Sequence, residues 1–173
     1  MNYLNVKSGE VNISYDEFIG TKGLMSCVGY ILYDKEDMVA IVGHVSNSFS
    51  VSTIGNNSLH PYFHDLYYLI CDNELMHKNF DLKIIEGASR SVEEFEYNKK
   101  FTDYIVEQLK RIKIININSI DMEIPDDCYQ IVDKDGNECL NSDLENSKQF
   151  AFDPKTGQFV TNLVSFDQES KSI

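Results

Sequence analysis

The sequence predicts an α/β chain of the α+β type, with mixed, largely antiparallel β-sheets and two main helices. Three observations predict it. Two apolar runs, 28–33 and 38–42, flank the charged break Asp34-Lys35-Glu36-Asp37 and read as a β-hairpin. Leu59, Phe63, Leu66, Tyr67 and Ile70 recur at helical spacing, as do Phe101, Tyr104, Ile105 and Leu109. Short apolar segments separated by Asp/Gly and Pro/Gly turns fill most of the rest.

Taken in order, residues 1–22 alternate and predict two short strands, 4–13 and 17–21, with a loop over 22–26. Gly20 and Gly23 bracket Thr21-Lys22 there. The hairpin follows. With Tyr33 facing Met38 across the turn, Cys27 lies opposite His44, where paired Cβ atoms are about 4.5–5.5 Å apart on one face. Gly29, Ile31, Tyr33, Ala40 and Val42 share that face, while Val28, Tyr30, Leu32, Val39 and Ile41 form the other. Strands apolar on both faces are central ones, covered on both sides. Residues 46–58 read as a loop, Ser58 as an N-cap, and a helix runs to about His77.

A strand over 82–86 leads to Gly87-Ala88-Ser89. Ser91 with Glu94 has capping-box spacing, so the second helix begins there or near Asn98, and Lys110, Arg111 and Lys113 suit its C-terminal end. Strands are predicted over 112–120, 129–133, 149–152 and 159–164, with turns at 134–137 and 154–157 and a frayed tail over 167–173. A chain of 173 residues has the length of a single domain, 1–173.

With 15 basic against 28 acidic residues, the net charge is −13. That field repels nucleic acid and anionic membrane, so neither is an expected partner. It suits a basic protein surface, and it serves solubility equally well. No apolar stretch approaches the ~20 residues of a membrane span. The first residues lack the apolar core of a signal peptide, which predicts a cytoplasmic protein, or one exported without a cleavable signal. Cys27, Cys71, Cys128 and Cys139 lack zinc spacing and are expected as reduced thiols.

The hairpin supplies the sharpest chemistry: a nucleophile, Cys27, beside a base, His44. A cysteine on a buried strand is by itself only a small hydrophobe, and a histidine after an apolar run is most often structural. It is the pairing that raises both to candidates. A Cys–His pair needs a third group to fix the imidazole tautomer. Asp34 and Asp37 sit at the far end of the strands, so Thr21 is the candidate and Ser46 the fallback. Backbone N–H groups around Ser26 and Cys27 are positioned for an oxyanion hole. His60 and His64, four apart on a helix, lack a third metal ligand and read as surface histidines. Asp133-Lys134-Asp135-Gly136 places its glycine too early for a calcium loop and reads as a turn. No metal is expected.

At these residues the chain resembles the bacterial chemoreceptor glutamine deamidases called CheD. The matching residues are Thr21, Gly23-Leu24-Met25-Ser26-Cys27 and Gly43-His44, with weaker likeness through 84–89, 98–111 and Phe152-Asp153-Pro154-Lys155-Thr156-Gly157-Gln158. The likeness spans nearly the whole chain. It implies a CheD-like fold in which Cys27 is the nucleophile, His44 the general base and Thr21 the residue that orients it. Ser26, Met25 and Gly23 would form the substrate and oxyanion loop. The implied reaction converts a protein glutamine to glutamate through a thioester, with no cofactor. Deamidase toxins of the cytotoxic necrotizing factor type share this Cys–His arrangement. The chain departs from the family at Met25, which replaces a glycine, at Val45-Ser46-Asn47, where Leu-Pro is absent, and at Glu86, which replaces the first glycine of Gly-Gly-Ala. The implied partners are a chemoreceptor or another protein, a host protein included, with an exposed glutamine, and a regulatory protein. A non-catalytic binding module and a cysteine peptidase or transglutaminase-like enzyme are the alternatives.

Overall fold

The computed structural model describes residues 3–24, 26–46, 59–87, 92–123 and 148–161. Among these residues are nine strands and two helices: β1 (Tyr3–Asn5), β2 (Val11–Ser14), β3 (Phe18–Leu24), β4 (Val28–Asp34), β5 (Val39–Val45), α1 (Pro61–Asp72), β6 (Asn79–Glu86), α2 (Val92–Arg111), β7 (Asn116–Glu123), β8 (Lys148–Asp153) and β9 (Gln158–Val160). They form a five-stranded sheet in the order β2-β5-β4-β6-β7 and a four-stranded sheet in the order β1-β3-β8-β9. All pairings are antiparallel except β1 with β3 and β6 with β7. The mixed, largely antiparallel α+β class predicted from the sequence is the one observed.

The layers follow from the two-faced hairpin. On one face Val28, Tyr30, Leu32, Val39 and Ile41 pack with Phe63, Leu66 and Ile70 of α1 and Phe101, Ile105 and Leu109 of α2. On the other, Ile31, Ala40 and Val42 pack with Ile19 and Leu24 of β3 and Phe150 and Phe152 of β8. The five-stranded sheet is therefore the middle of three layers, with helices on one side and the smaller sheet on the other. β4 lies at its centre, between β5 and β6.

Several boundaries differ from expectation. The first stretch is not one strand but two, β1 and β2, because the chain turns at Gly9, whose φ of +84° only glycine adopts readily. This turn carries the chain from the smaller sheet to the larger. Residues 22–24 belong to β3 rather than to a loop: its pairing with β8 shifts between Thr21 and Leu24, then resumes at Leu24 opposite Lys148. Helix α1 is capped not by Ser58 but by His60, whose side chain accepts the Tyr62 N–H at 3.2 Å. It ends at Asp72 rather than His77, with Asn73 as C-cap, and both Glu74 and His77 have positive φ. α2 takes the earlier of its two predicted starts. β7 begins four residues later than predicted, because Ile112 and Ile115 turn into the helix-side core first. The expectations at 129–137 and in the tail lie outside the described residues.

The hairpin register is the most consequential correction. Tyr33 pairs with Ala40, and His44 pairs with Gly29 rather than Cys27. The turn occupies residues 35–38, with Met38 at φ +52°, so Asp34 joins the strand and pairs with Val39. The displacement is two residues, an even number. Cys27 and His44 therefore keep the same face, as diagonal rather than direct neighbours.

Candidate active site

The site is built at the open end of the hairpin, between the two sheets. His44 is next to last in β5 and is only 2% exposed. Its backbone is clasped on both sides by the crossing segment between β1 and β2: Gly9 N–H donates to the His44 carbonyl at 2.8 Å, and His44 N–H donates to the Glu10 carbonyl at 3.0 Å. Tyr62 of α1 donates its hydroxyl to the same Glu10 carbonyl at 3.1 Å. Gly43 is required beside it, since a Cβ there would collide with the Tyr30 ring and the Tyr62 hydroxyl. The histidine backbone is thus held by the crossing segment, which α1 in turn braces through Tyr62.

The ring is fixed as firmly. Thr21, fully buried in β3, places Oγ1 2.8 Å from His44 Nδ1. The same hydroxyl donates to the Val6 carbonyl at 2.6 Å. A threonine hydroxyl has one proton. With that proton given to Val6, the oxygen accepts from the ring, so Nδ1 carries the hydrogen and Nε2 carries the lone pair. Nε2 is buried and has no hydrogen-bond partner among the described residues. Burial pulls the imidazole down from its ordinary value to about 4, so it is neutral at physiological pH. The tautomer and the protonation state are both those of a base waiting at Nε2.

Cys27 immediately precedes β4, is half-buried, and packs against the core between the sheets, on the His44 face. Its carbonyl accepts the Gly87 N–H at 2.9 Å, which ties the cysteine to the end of β6. Ser26 lies beside it, half-buried, and Gly23 takes a φ of +81° where the β3 pairing shifts. Met25 lies outside the described residues. Ser46, the fallback third group, follows β5, but it is Thr21 that meets the ring. Sequence reasoning named Thr21 as the group that would bond the ring, and its hydroxyl does so, at Nδ1. It missed Val6, whose contribution is a backbone carbonyl and leaves no trace in residue type.

A second polar cluster was also missed. Glu86, at the end of β6, is fully buried and accepts the Thr102 hydroxyl of α2 at 2.9 Å. Its other carboxylate oxygen has no partner among the described residues. Burial raises its carboxyl above the ordinary value; the Thr102 bond and the fields of Lys148 and Lys99 oppose this, and Asp103 adds to it. Glu86 pairs with Val28, the residue after Cys27. Glu86 thereby joins α2 to the cysteine end of the sheet.

His60 caps α1, and among the described residues no group of three or more His, Cys, Asp or Glu side chains is arranged to hold a metal. Among them, too, no helix is long and apolar enough to cross a membrane. The chain matches no protein-family model and no curated protein.

Proposed function

We propose that this chain is a protein-glutamine deamidase that uses Cys27 as nucleophile, His44 as general base and Thr21 as the residue that holds the imidazole. The observation that carries the reading is the buried relay from His44 Nδ1–H through the Thr21 hydroxyl to the Val6 carbonyl, which leaves Nε2 without a partner among the described residues, on a strand residue that shares its face with Cys27. A structural histidine gains stability by satisfying both ring nitrogens, because an unpaired buried polar atom costs about 1–3 kcal/mol. Here Nδ1 is satisfied by Thr21, whose own proton goes to Val6, and Nε2 is left for chemistry.

In this reading the Cys27 sulfur attacks the side-chain amide carbon of a protein glutamine, and His44 Nε2 takes the thiol proton. Backbone N–H groups at Ser26 and Cys27 receive the negative charge that develops on the amide oxygen. The C–N bond breaks, the His44 proton goes to the leaving nitrogen, and ammonia departs from a thioester. Water then attacks the thioester carbon while Nε2 accepts its proton. Glutamate is released and the thiol restored. No cofactor enters. The resemblance to chemoreceptor deamidases points to a chemoreceptor or another protein, a host protein included, as substrate.

The test is ammonia release from a glutamine-rich protein such as casein, with the amide-to-acid mass change located by mass spectrometry. Wild-type protein is expected to release ammonia without peptide cleavage. Cys27→Ala is expected to abolish release, and His44→Ala to lower it by about 10²-fold or more while the fold is retained. Ammonia release that survives Cys27→Ala, or cleavage of the chain in place of deamidation, overturns the reading.

A further inference from the structure

A neutral imidazole leaves the cysteine site with an electrostatic deficit. His44 carries no resting positive charge above about pH 4, so it cannot hold the Cys27 sulfur as a thiolate by ion pairing. A reference thiol, with its pKa of about 8.5, is mostly protonated at neutral pH. Some other positive charge would be needed to favour the reactive form.

The sheet register supplies one. Lys148, the first residue of β8, pairs with Leu24 of β3. Leu24 is fully buried between the sheets, and directly paired residues share a face. Phe150, two residues along β8 and so on the same face, pairs with Thr21 and meets Gly29, the partner of His44. Leu24, the partner of Lys148, also meets Gly29 and precedes Cys27 by three residues. Lys148 therefore stands on the inner face at the cysteine end and is itself half-buried. A separate observation agrees: the field of Lys148 reaches Glu86, whose strand partner is Val28, next to Cys27.

We propose that Lys148 is the positive charge that stabilises the Cys27 thiolate, an electrostatic residue of the same site. The proposal rests on the reading of Cys27 as the nucleophile. Among the described residues, the other titratable groups at this end include His44 on β5, Glu86 on β6, Glu123 on β7 opposite Ile85, Glu10 beside His44 and exposed Lys22 on β3, with Lys99 and Asp103 of α2 acting at Glu86. Lys148 differs from them in combining partial burial, a full charge and the inward face. A half-buried cation is screened less than an exposed one, so its field is retained at physiological salt.

The experiment follows the rate of iodoacetamide modification of Cys27 in the full chain over a pH range of about 5–10, read by mass spectrometry. Wild type is compared with Lys148→Met, Lys148→Gln and Lys148→Arg. Thermal melts show which variants fold, and Lys148→Gln stands in should Lys148→Met fail. Removal of the charge is expected to raise the modification midpoint by about one pH unit, or roughly tenfold slower labelling below it, and Lys148→Arg to restore it. High salt is expected to shrink the difference. Coincident midpoints for wild type and the neutral variants overturn the proposal, and if wild type still deamidates glutamine the deamidase reading stands without it. A midpoint that depends on Lys148 in a protein that deamidates nothing supports Lys148 and removes the deamidase reading instead.

Discussion

At the turn end of the β4–β5 hairpin, Asp34 is 3% exposed, and its Oδ1 accepts the N–H of Glu36 at 2.9 Å and of Asp37 at 3.3 Å. At the open end, His44 is 2% exposed, and Nε2 has no partner among the described residues. The two groups ride on the same pair of strands and are buried to the same degree. They differ in whether burial has been compensated. Asp34 turns its carboxylate to local backbone donors and so closes a tight turn. His44 satisfies one nitrogen and leaves the other without a partner among the described residues. Buried polar groups are nearly always paired, and among the described residues His44 Nε2, like one Glu86 carboxylate oxygen, is not.

The largest test of this contrast is the pH dependence of stability. His44 titrates near 4 in the folded chain and at about 6.5 when unfolded. Between those values the unfolded state binds more protons. The stability that neutral burial contributes is complete above about pH 6.5 and is lost as the pH falls towards 4, a change of about 3 kcal/mol. Glu86 acts with the opposite sign, since its raised carboxyl contributes stability at low pH that is lost as the pH rises through its folded value. Denaturant midpoints for wild type and His44→Gln across pH 4–7 separate the two, because Glu86 is common to both proteins. Equal slopes for the two proteins would mean that His44 is not buried as the neutral base.

A smaller effect is expected at the relay. Thr21→Val removes the hydroxyl between Nδ1–H and the Val6 carbonyl, leaving both without it, at about 1–3 kcal/mol. It also frees the choice of tautomer, so the rate of Cys27 alkylation near neutral pH is expected to fall several-fold, with Thr21→Ser restoring it. Loss of stability with an unchanged alkylation rate would make Thr21 a packing residue. The smallest effect belongs to the turn end. Asp34→Ala is expected to cost about 1 kcal/mol in chemical denaturation and to leave Cys27 alkylation unchanged. Any change there would show that the two ends are coupled.

Much of this arrangement was legible in the chain. Alternation along 28–33 and 39–42 assigned these hairpin side chains to the correct faces, because the two-residue period of a strand is fixed by backbone geometry. The spacing of Leu66 and Ile70, and of Phe101 and Ile105, located both helices for the same kind of reason. Less visible was where each element begins. Asp34 looked like a turn residue by type, yet its carboxylate bonds pull it into β4 and push the turn to 35–38, where Met38 accepts a left-handed conformation. Register depends on such turn details, which residue types constrain only weakly.

By itself, then, the sequence determined the α+β class, the two-faced central hairpin, and the placing of Thr21, Cys27 and His44 at its open end. Tertiary structure alone decided what those residues meet. The turn at Gly9 carries the chain between sheets, so that the Val6 carbonyl receives Thr21 and the Gly9 and Glu10 backbone clasps His44. The shift in the β3–β8 pairing sets Lys148 opposite Leu24. Glu86 reaches Thr102 on a helix sixteen residues further on. These are contacts between backbone groups or between elements far apart in the chain, and they are fixed by how layers stack rather than by any local pattern of side chains.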